Sequence, residues 1–162
     1  MTFEVLTPVV SPLRTVPAEW IDYNGHMNVG YYSLAFDKGV DVLLDLVGVG
    51  AAFTRETRMG PYVLQNHLHY LDEVLEGETF RIELRVLDCD AKRFHLFAEM
   101  RNAGGGVAAT SEQLATNVDL ETRRSAPYPD WAVARFEDLR RAHAGLPRPA
   151  QAGASIGIRR KA

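Results

Sequence analysis

The sequence predicts an α+β domain: one long helix laid on a curved antiparallel sheet, followed by a small C-terminal helix. Three observations lead there. Apolar residues recur at helical spacing from about residue 28 to 47, the period changes to two across residues 62 to 119, and a helical pattern returns after Pro127 and Pro129. A helix and a sheet that each carry one apolar face cover each other, which makes a layered pair. At 162 residues the chain suffices for one well-buried domain and is short for two. Residues 1–145 are expected to form that domain and 146–162 a tail.

In chain order, residues 11–20 read as a short strand through Leu13, Thr15 and Val16, confined to an edge by Pro12 and Pro17. From Asn28 to Val47, Tyr32, Phe36, Val40, Leu43, Leu44 and Val47 share one helix face, and Asp37, Asp41 and Asp45 mark another. Ala35 and Gly39 leave room for a close approach; Gly48 and Gly50 are stop signals. Residues 54–58 read as a polar loop leading to a Gly60-Pro61 turn. A strand over 62–75 follows, with Leu64, Leu68, Tyr70 and Val74 on one parity and Gln65, His67, His69 and Glu73 on the other, and Gly77 ends it. Phe80, Ile82, Leu84 and Val86 alternate with Arg81, Glu83 and Arg85. Phe94, Leu96, Ala98 and Met100 make the next strand, and Gly104-Gly105-Gly106 turns into another at about 107–119. Short turns predict an antiparallel meander. Phe97 and Leu114 fall at outward positions, so an oligomer partner is expected to cover them. Residues 130–144 read as a second helix with Trp131, Ala134, Phe136 and Leu139 as a narrow stripe. The Pro-, Ala-, Gly- and Arg-rich tail is expected to extend over a neighbour or to be poorly ordered.

Charge and composition exclude several classes. Eighteen Lys and Arg against 21 Asp and Glu give a net charge of −3, so there is no basic footprint for nucleic acid and no polybasic run for a membrane surface. No stretch approaches the roughly 18 apolar residues of a membrane span. The first ten residues lack the pattern of a secretory signal. Cys89 is the only cysteine, which leaves no disulfide within the chain and suggests a reducing, cytoplasmic setting.

The chemistry concentrates in Trp20-Ile21-Asp22-Tyr23-Asn24-Gly25-His26-Met27-Asn28, just before the long helix. Asp22 can act as nucleophile or as general base for water, and the residues leave that choice open. The carboxamide of Asn24 can orient the carboxylate or the water. His26 can hold a substrate carbonyl or protonate a leaving group. Asn28 sits where a helix N-cap belongs, and the backbone N–H groups near Met27 to Gly30, those of Asn28, Val29 and Gly30 at the helix start among them, suit a developing oxyanion. The same residue types also make ordinary turns. His67 and His69 lack a third ligand at suitable spacing, so no metal is expected.

The string Asp22-x-Asn24-x-His26-x-Asn28, followed by Tyr31-Tyr32 and a long helix, resembles the catalytic segment of hot-dog-fold thioesterases, including acyl-carrier-protein and 4-hydroxybenzoyl-CoA-like enzymes. The segments from His67 to Glu73, Lys92 to His95, Thr110 to Glu112 and Arg123 to Pro129 look like the betainyl-CoA thioesterases of bacterial carnitine breakdown, over roughly residues 14 to 130. The resemblance implies hydrolysis of a small acyl-CoA thioester without a cofactor, coenzyme A being part of the substrate. It implies that Glu73 joins Asp22, Asn24 and His26, and that a homodimer or homotetramer builds the site between subunits. Lys92 and Arg93 would meet CoA phosphates. Trp20, Tyr31, Tyr32, Phe36 and Tyr62 would supply aromatic surface for a trimethylammonium acyl group. The competing expectations are a hydratase or dehydratase on a thioester and a non-catalytic acyl-CoA-binding module.

Overall fold

The computed structural model describes residues 3–158 and 160; the first two residues and the end of the tail at 159 and 161–162 lie outside the described residues. The long helix α1 (Val29–Val47) starts where expected, because the Asn28 backbone is extended and its side-chain Oδ1 accepts from the Gly30 N–H at 2.9 Å. It ends at Gly48, whose φ of 91° is the left-handed cap geometry that glycine adopts without strain. Tyr32, Ala35, Phe36, Gly39, Val40, Leu43, Leu44 and Val47 are its buried face. Gly39 is the point of closest approach to the sheet: a Cβ there would stand 2.7 Å from Ile82 Cβ.

The polar loop expected at 54–58 is helical. A short helix, α2 (Ala51–Thr57), forms around the buried Phe53, and one apolar residue in two turns leaves no readable period. The Gly60-Pro61 pair is no turn either; it lies inside β3 (Met59–Tyr70), opposite Val118 and Asn117. Proline is tolerated there because β3 is an edge strand.

Two short strands, β1 (Val9–Val10) and β2 (Arg14–Thr15), replace the single strand expected at 11–20, and both pair with β4 (Thr79–Cys89). Pro12, which lies between them, has no N–H to give the ladder. With β5 (Arg93–Asn102) and β6 (Val107–Asp119) the order is β1-β4-β5-β6-β3. The meander is therefore β4-β5-β6, and β3 pairs with β6 rather than with its successor. Residues 71–78 carry the chain across three strand spacings, about 14 Å, within reach of eight residues at about 3.3 Å each. Along this crossing Val74 is buried and its carbonyl accepts from the Met27 N–H at 2.8 Å. A last pair, β7 (Arg124–Ser125), closes on β6, and α3 (Asp130–His143) packs against β4. The buried face of α3 is Ala132, Phe136, Leu139 and His143; Trp131 and Ala134 of the expected stripe are exposed.

Around Phe97 the outer face of the sheet is covered from within the chain, while Leu114 stays half-buried. Arg85, Phe97 and Glu112 are neighbours across β4, β5 and β6. Arg85 Nη1 donates to the Pro147 carbonyl at 2.6 Å, and the Gly153 N–H donates to Glu112 Oε2 at 2.7 Å. The tail thus crosses directly over Phe97, which is 1% exposed. The described part of the tail is a strap on its own sheet, a placement its composition does not reveal. Among the described residues no helix is long and apolar enough to cross a membrane.

Candidate active site

The motif loop is tied down before the helix begins. Its two ends meet in an isolated bridge between Ile21 and Met27, with Asp22 N–H donating to the His26 carbonyl and Asn28 N–H to the Trp20 carbonyl. Gly25 turns the loop at φ 84°. Trp20 stacks on Tyr31 with centroids 5.2 Å apart, and its other neighbour is Phe80, at 6.4 Å. This brace fixes the loop against α1 and β4. Trp20 and Tyr31 are therefore packing residues of the loop, and Phe36 is fully buried core.

Asp22 is held at both oxygens. Oδ1 accepts from the Asn24 N–H at 2.8 Å and Oδ2 from Asn28 Nδ2 at 3.3 Å. Asn28 thus caps α1 with its oxygen and steadies the carboxylate with its nitrogen. The Asn24 contact uses the backbone N–H, and Asn24 itself is exposed.

A cavity of about 260 Å³ opens beside this loop. His26, Met27 and Val29 form one wall, Tyr32 the floor, and Tyr70, Asp72 and Glu73 the other wall. His26 Nδ1 lies 3.2 Å from the Met27 carbonyl, which can only accept, so the proton sits on Nδ1 and Nε2 is left for another partner. The Tyr32 pKa is raised above its usual value, first by burial and further by the electrostatic influence of Tyr70, Asp72 and Glu73, against a backbone hydrogen bond at Val74. Its ring meets Tyr70 edge-on, 5.0 Å between centroids.

Three of the four N–H groups expected around the oxyanion position are already engaged. Met27 donates to Val74, Asn28 to Trp20, and Gly30 to the Asn28 side chain. Among the described residues the Val29 N–H alone of these has no partner, and Val29 lines the cavity. It opens the first turn of α1, where the helix dipole is positive. Glu73 lies three residues beyond the end of β3, because the Leu71 and Asp72 N–H groups both turn to the Ala108 carbonyl and end the ladder.

The other expected binding residues stand elsewhere in the chain. Tyr62 and Arg93 both lie opposite Thr116, whereas Tyr70 lies opposite Ala109; that interval along β6 is about 24 Å at roughly 3.4 Å per residue. Arg93 is paired with Asp90, Lys92 is exposed beside it, and Tyr62 accepts from Arg123. His67 and His69 face away from the cavity, toward the strap, with ring centroids 4.5 Å apart. Sequence reasoning missed Tyr70 and Asp72 as cavity walls. The available signal was their place just before Glu73, at the end of a strand facing the motif.

A long helix wrapped by one curved antiparallel sheet, with a cavity of mixed polar and apolar lining at the helix start, is the hot-dog architecture of thioesterases. The profile of the Thioesterase-like superfamily matches residues 16–136, and the chain belongs to that family. It is 36% identical to a betainyl-CoA thioesterase of Pseudomonas aeruginosa, over 96% of each chain. It is 35% identical to an L-carnitine dehydrogenase/betainyl-CoA thioesterase of Rhizobium meliloti, covering 92% of this chain and 31% of that longer one. Among solved structures, a Staphylococcus aureus protein in complex with CoA superposes with a TM-score of 0.88 at 26% identity, covering 98% of this chain and all (100%) of the other. A candidate thioesterase from Pseudomonas putida superposes at 0.82 with 30% identity, over 96% and 99% of the two chains.

Proposed function

We propose that this protein hydrolyses betainyl-CoA to glycine betaine and free CoA. The observation that carries the reading is the full-length likeness to the P. aeruginosa enzyme, joined to a cavity in which an imidazole, a carboxylate and an unpaired helix-start N–H converge. In this reading the thioester carbonyl oxygen takes the Val29 N–H as charge develops on it. His26, oriented by the Met27 carbonyl, presents Nε2 to the carbonyl or the departing sulfur. Glu73 in the wall and Asp22 at the start of the motif, which does not itself line the cavity of one chain, are the two carboxylates that can activate water or attack the carbonyl. The protein needs no cofactor in this scheme, and a cytoplasmic setting suits a CoA thioester substrate.

The reading includes a homodimer. β3 is a free edge whose Val63 and Leu64 are each 54% exposed. Pairing two such edges antiparallel about the strand centre brings the Tyr62, Lys92 and Arg93 end of one protomer beside the cavity end of its partner, which would reunite the residues that one chain keeps about 24 Å apart. Light scattering should give a dimer or a multiple of it; a monomeric mass would remove this part.

The activity is tested with a panel of short-chain, aromatic and cationic acyl-CoAs and a dye that traps the released thiol. Betainyl-CoA should be the best substrate, and Asp22→Asn and Glu73→Gln should each lower kcat, by about 100-fold or more for the residue that activates water. A wild-type protein that releases no thiol from any of them is not a thioesterase of this kind.

A further inference from the structure

We infer that Tyr70 and Asp72 read the positive charge of the acyl group, so that the cavity selects a quaternary ammonium over a neutral group of the same shape. This rests on the thioesterase reading above. Four observations bear on it. Asp72 and Glu73 stand side by side in the cavity wall, and among the described residues neither is paired with a lysine or arginine. The Glu73 N–H donates to Asp72 Oδ1 at 3.0 Å, which fixes the Asp72 carboxylate and leaves Oδ2 to act on whatever fills the cavity. Tyr32 is buried while Tyr70 is 47% exposed, and their perpendicular contact holds the Tyr70 ring in place with surface left over for a ligand. The remaining wall is Met27, Val29 and the His26 ring, and no lysine or arginine lines the cavity.

A trimethylammonium group cannot donate a hydrogen bond, so a site for it must replace hydration with aromatic faces, polarisable surface and net negative charge nearby. This wall supplies all three. A neutral or anionic acyl group gains nothing from the two carboxylates, and an anionic one is repelled. Placing the charge reader on residues 70–73, where β3 gives way to the crossing, also separates selection from the carbonyl chemistry at Val29.

The test compares betainyl-CoA with its neutral isostere 3,3-dimethylbutyryl-CoA, in which carbon replaces nitrogen and shape is kept. The quaternary charge makes the betainyl thioester intrinsically more reactive, and that difference cancels when each variant's kcat/KM ratio is divided by the wild-type ratio. Asp72→Asn keeps the acceptor for the Glu73 N–H, and Tyr70→Leu keeps apolar volume. Each should lower the betainyl-to-isostere ratio at least fivefold, through a higher KM for betainyl-CoA, and melting curves confirm that the variants fold. Unchanged ratios in both folded variants overturn the inference while the thioesterase reading stands. A wild-type protein that hydrolyses other acyl-CoAs but not betainyl-CoA overturns the inference together with the proposed substrate.

Discussion

Asn28 holds two jobs that one pair of substitutions separates. Its Oδ1 caps α1 at Gly30, and its Nδ2 steadies Asp22 at 3.3 Å. Asn28→Ala removes both. Loss of an N-cap costs about 1 kcal/mol. A long, part-buried hydrogen bond to a carboxylate adds about 1 kcal/mol, below the range of well-formed charged pairs. The sum, about 2 kcal/mol, lowers Tm by roughly 4–8 °C for a domain of this size. Asn28→Ser keeps an acceptor at the cap but is too short to reach Asp22, so it should lose only about half of that. Both variants release Asp22 alike, and both should lose at least tenfold in kcat in the thiol-release assay. Equal Tm values for the two would show that the cap contributes nothing. A serine variant as active as wild type would refute the positioning of Asp22 by Asn28.

Gly39→Ala gains about 1 kcal/mol of helix propensity but drives a Cβ to 2.7 Å from Ile82 Cβ and Cγ2. Ile82 is fully buried and the contact is at its branch point, so overpacking toward the upper end of about 1–3 kcal/mol should leave the variant about 1–2 kcal/mol less stable in urea; a stabilised variant would sink the close-packing argument. His143 accepts from the Val86 N–H at Nδ1 and donates from Nε2 to the Leu6 carbonyl, and its pKa lies below 6.5, chiefly by burial, opposed by Leu6 and aided by the Arg85 charge. The unfolded chain then binds the proton first, so this contribution to stability is complete above pH 6.5 and is lost as pH falls toward the folded value. His143→Gln can keep both hydrogen bonds without titrating, and its Tm should vary less between pH 7 and about 5; equal slopes would exclude His143 as the source. Burial, with the hydrogen bond and charge of Glu137 behind it, pushes the Cys89 thiol up to about 12. Iodoacetamide at about pH 8 should label the folded protein at least 100-fold more slowly than a free thiol, and labelling at the free rate would mean the site opens readily.

The local features were legible because residues a few positions apart decide them. The period of Tyr32, Phe36, Val40, Leu43 and Val47 sets the buried face of α1, and Asn28 and Gly48 set its ends. Alternation from Phe80 to Val86 and from Phe94 to Met100 marks β4 and β5. The motif from Asp22 to Asn28 announced a site, since those side chains close a loop on themselves. Where a single apolar residue carried the element, as Phe53 does in α2, no period could form.

What lay beyond the sequence is long-range. The pairing of β3 with β6, the crossing of residues 71–78 that sets Asp72 and Glu73 in the cavity wall, and the strap over Phe97 join residues tens of positions apart. The engagement of the Met27 N–H is equally long-range, because the Val74 carbonyl arrives from that crossing, whereas the Asn28 and Gly30 N–H groups find partners within or beside the motif. By itself the sequence determined α1, α3 and the long strands β4 to β6, the polar motif before α1 and the family resemblance, all properties of short stretches. Only the tertiary structure decided which aromatic rings line the cavity and which helix-start N–H stays unpaired beside it, because a group's partners depend on strand pairing that its neighbours in sequence do not encode.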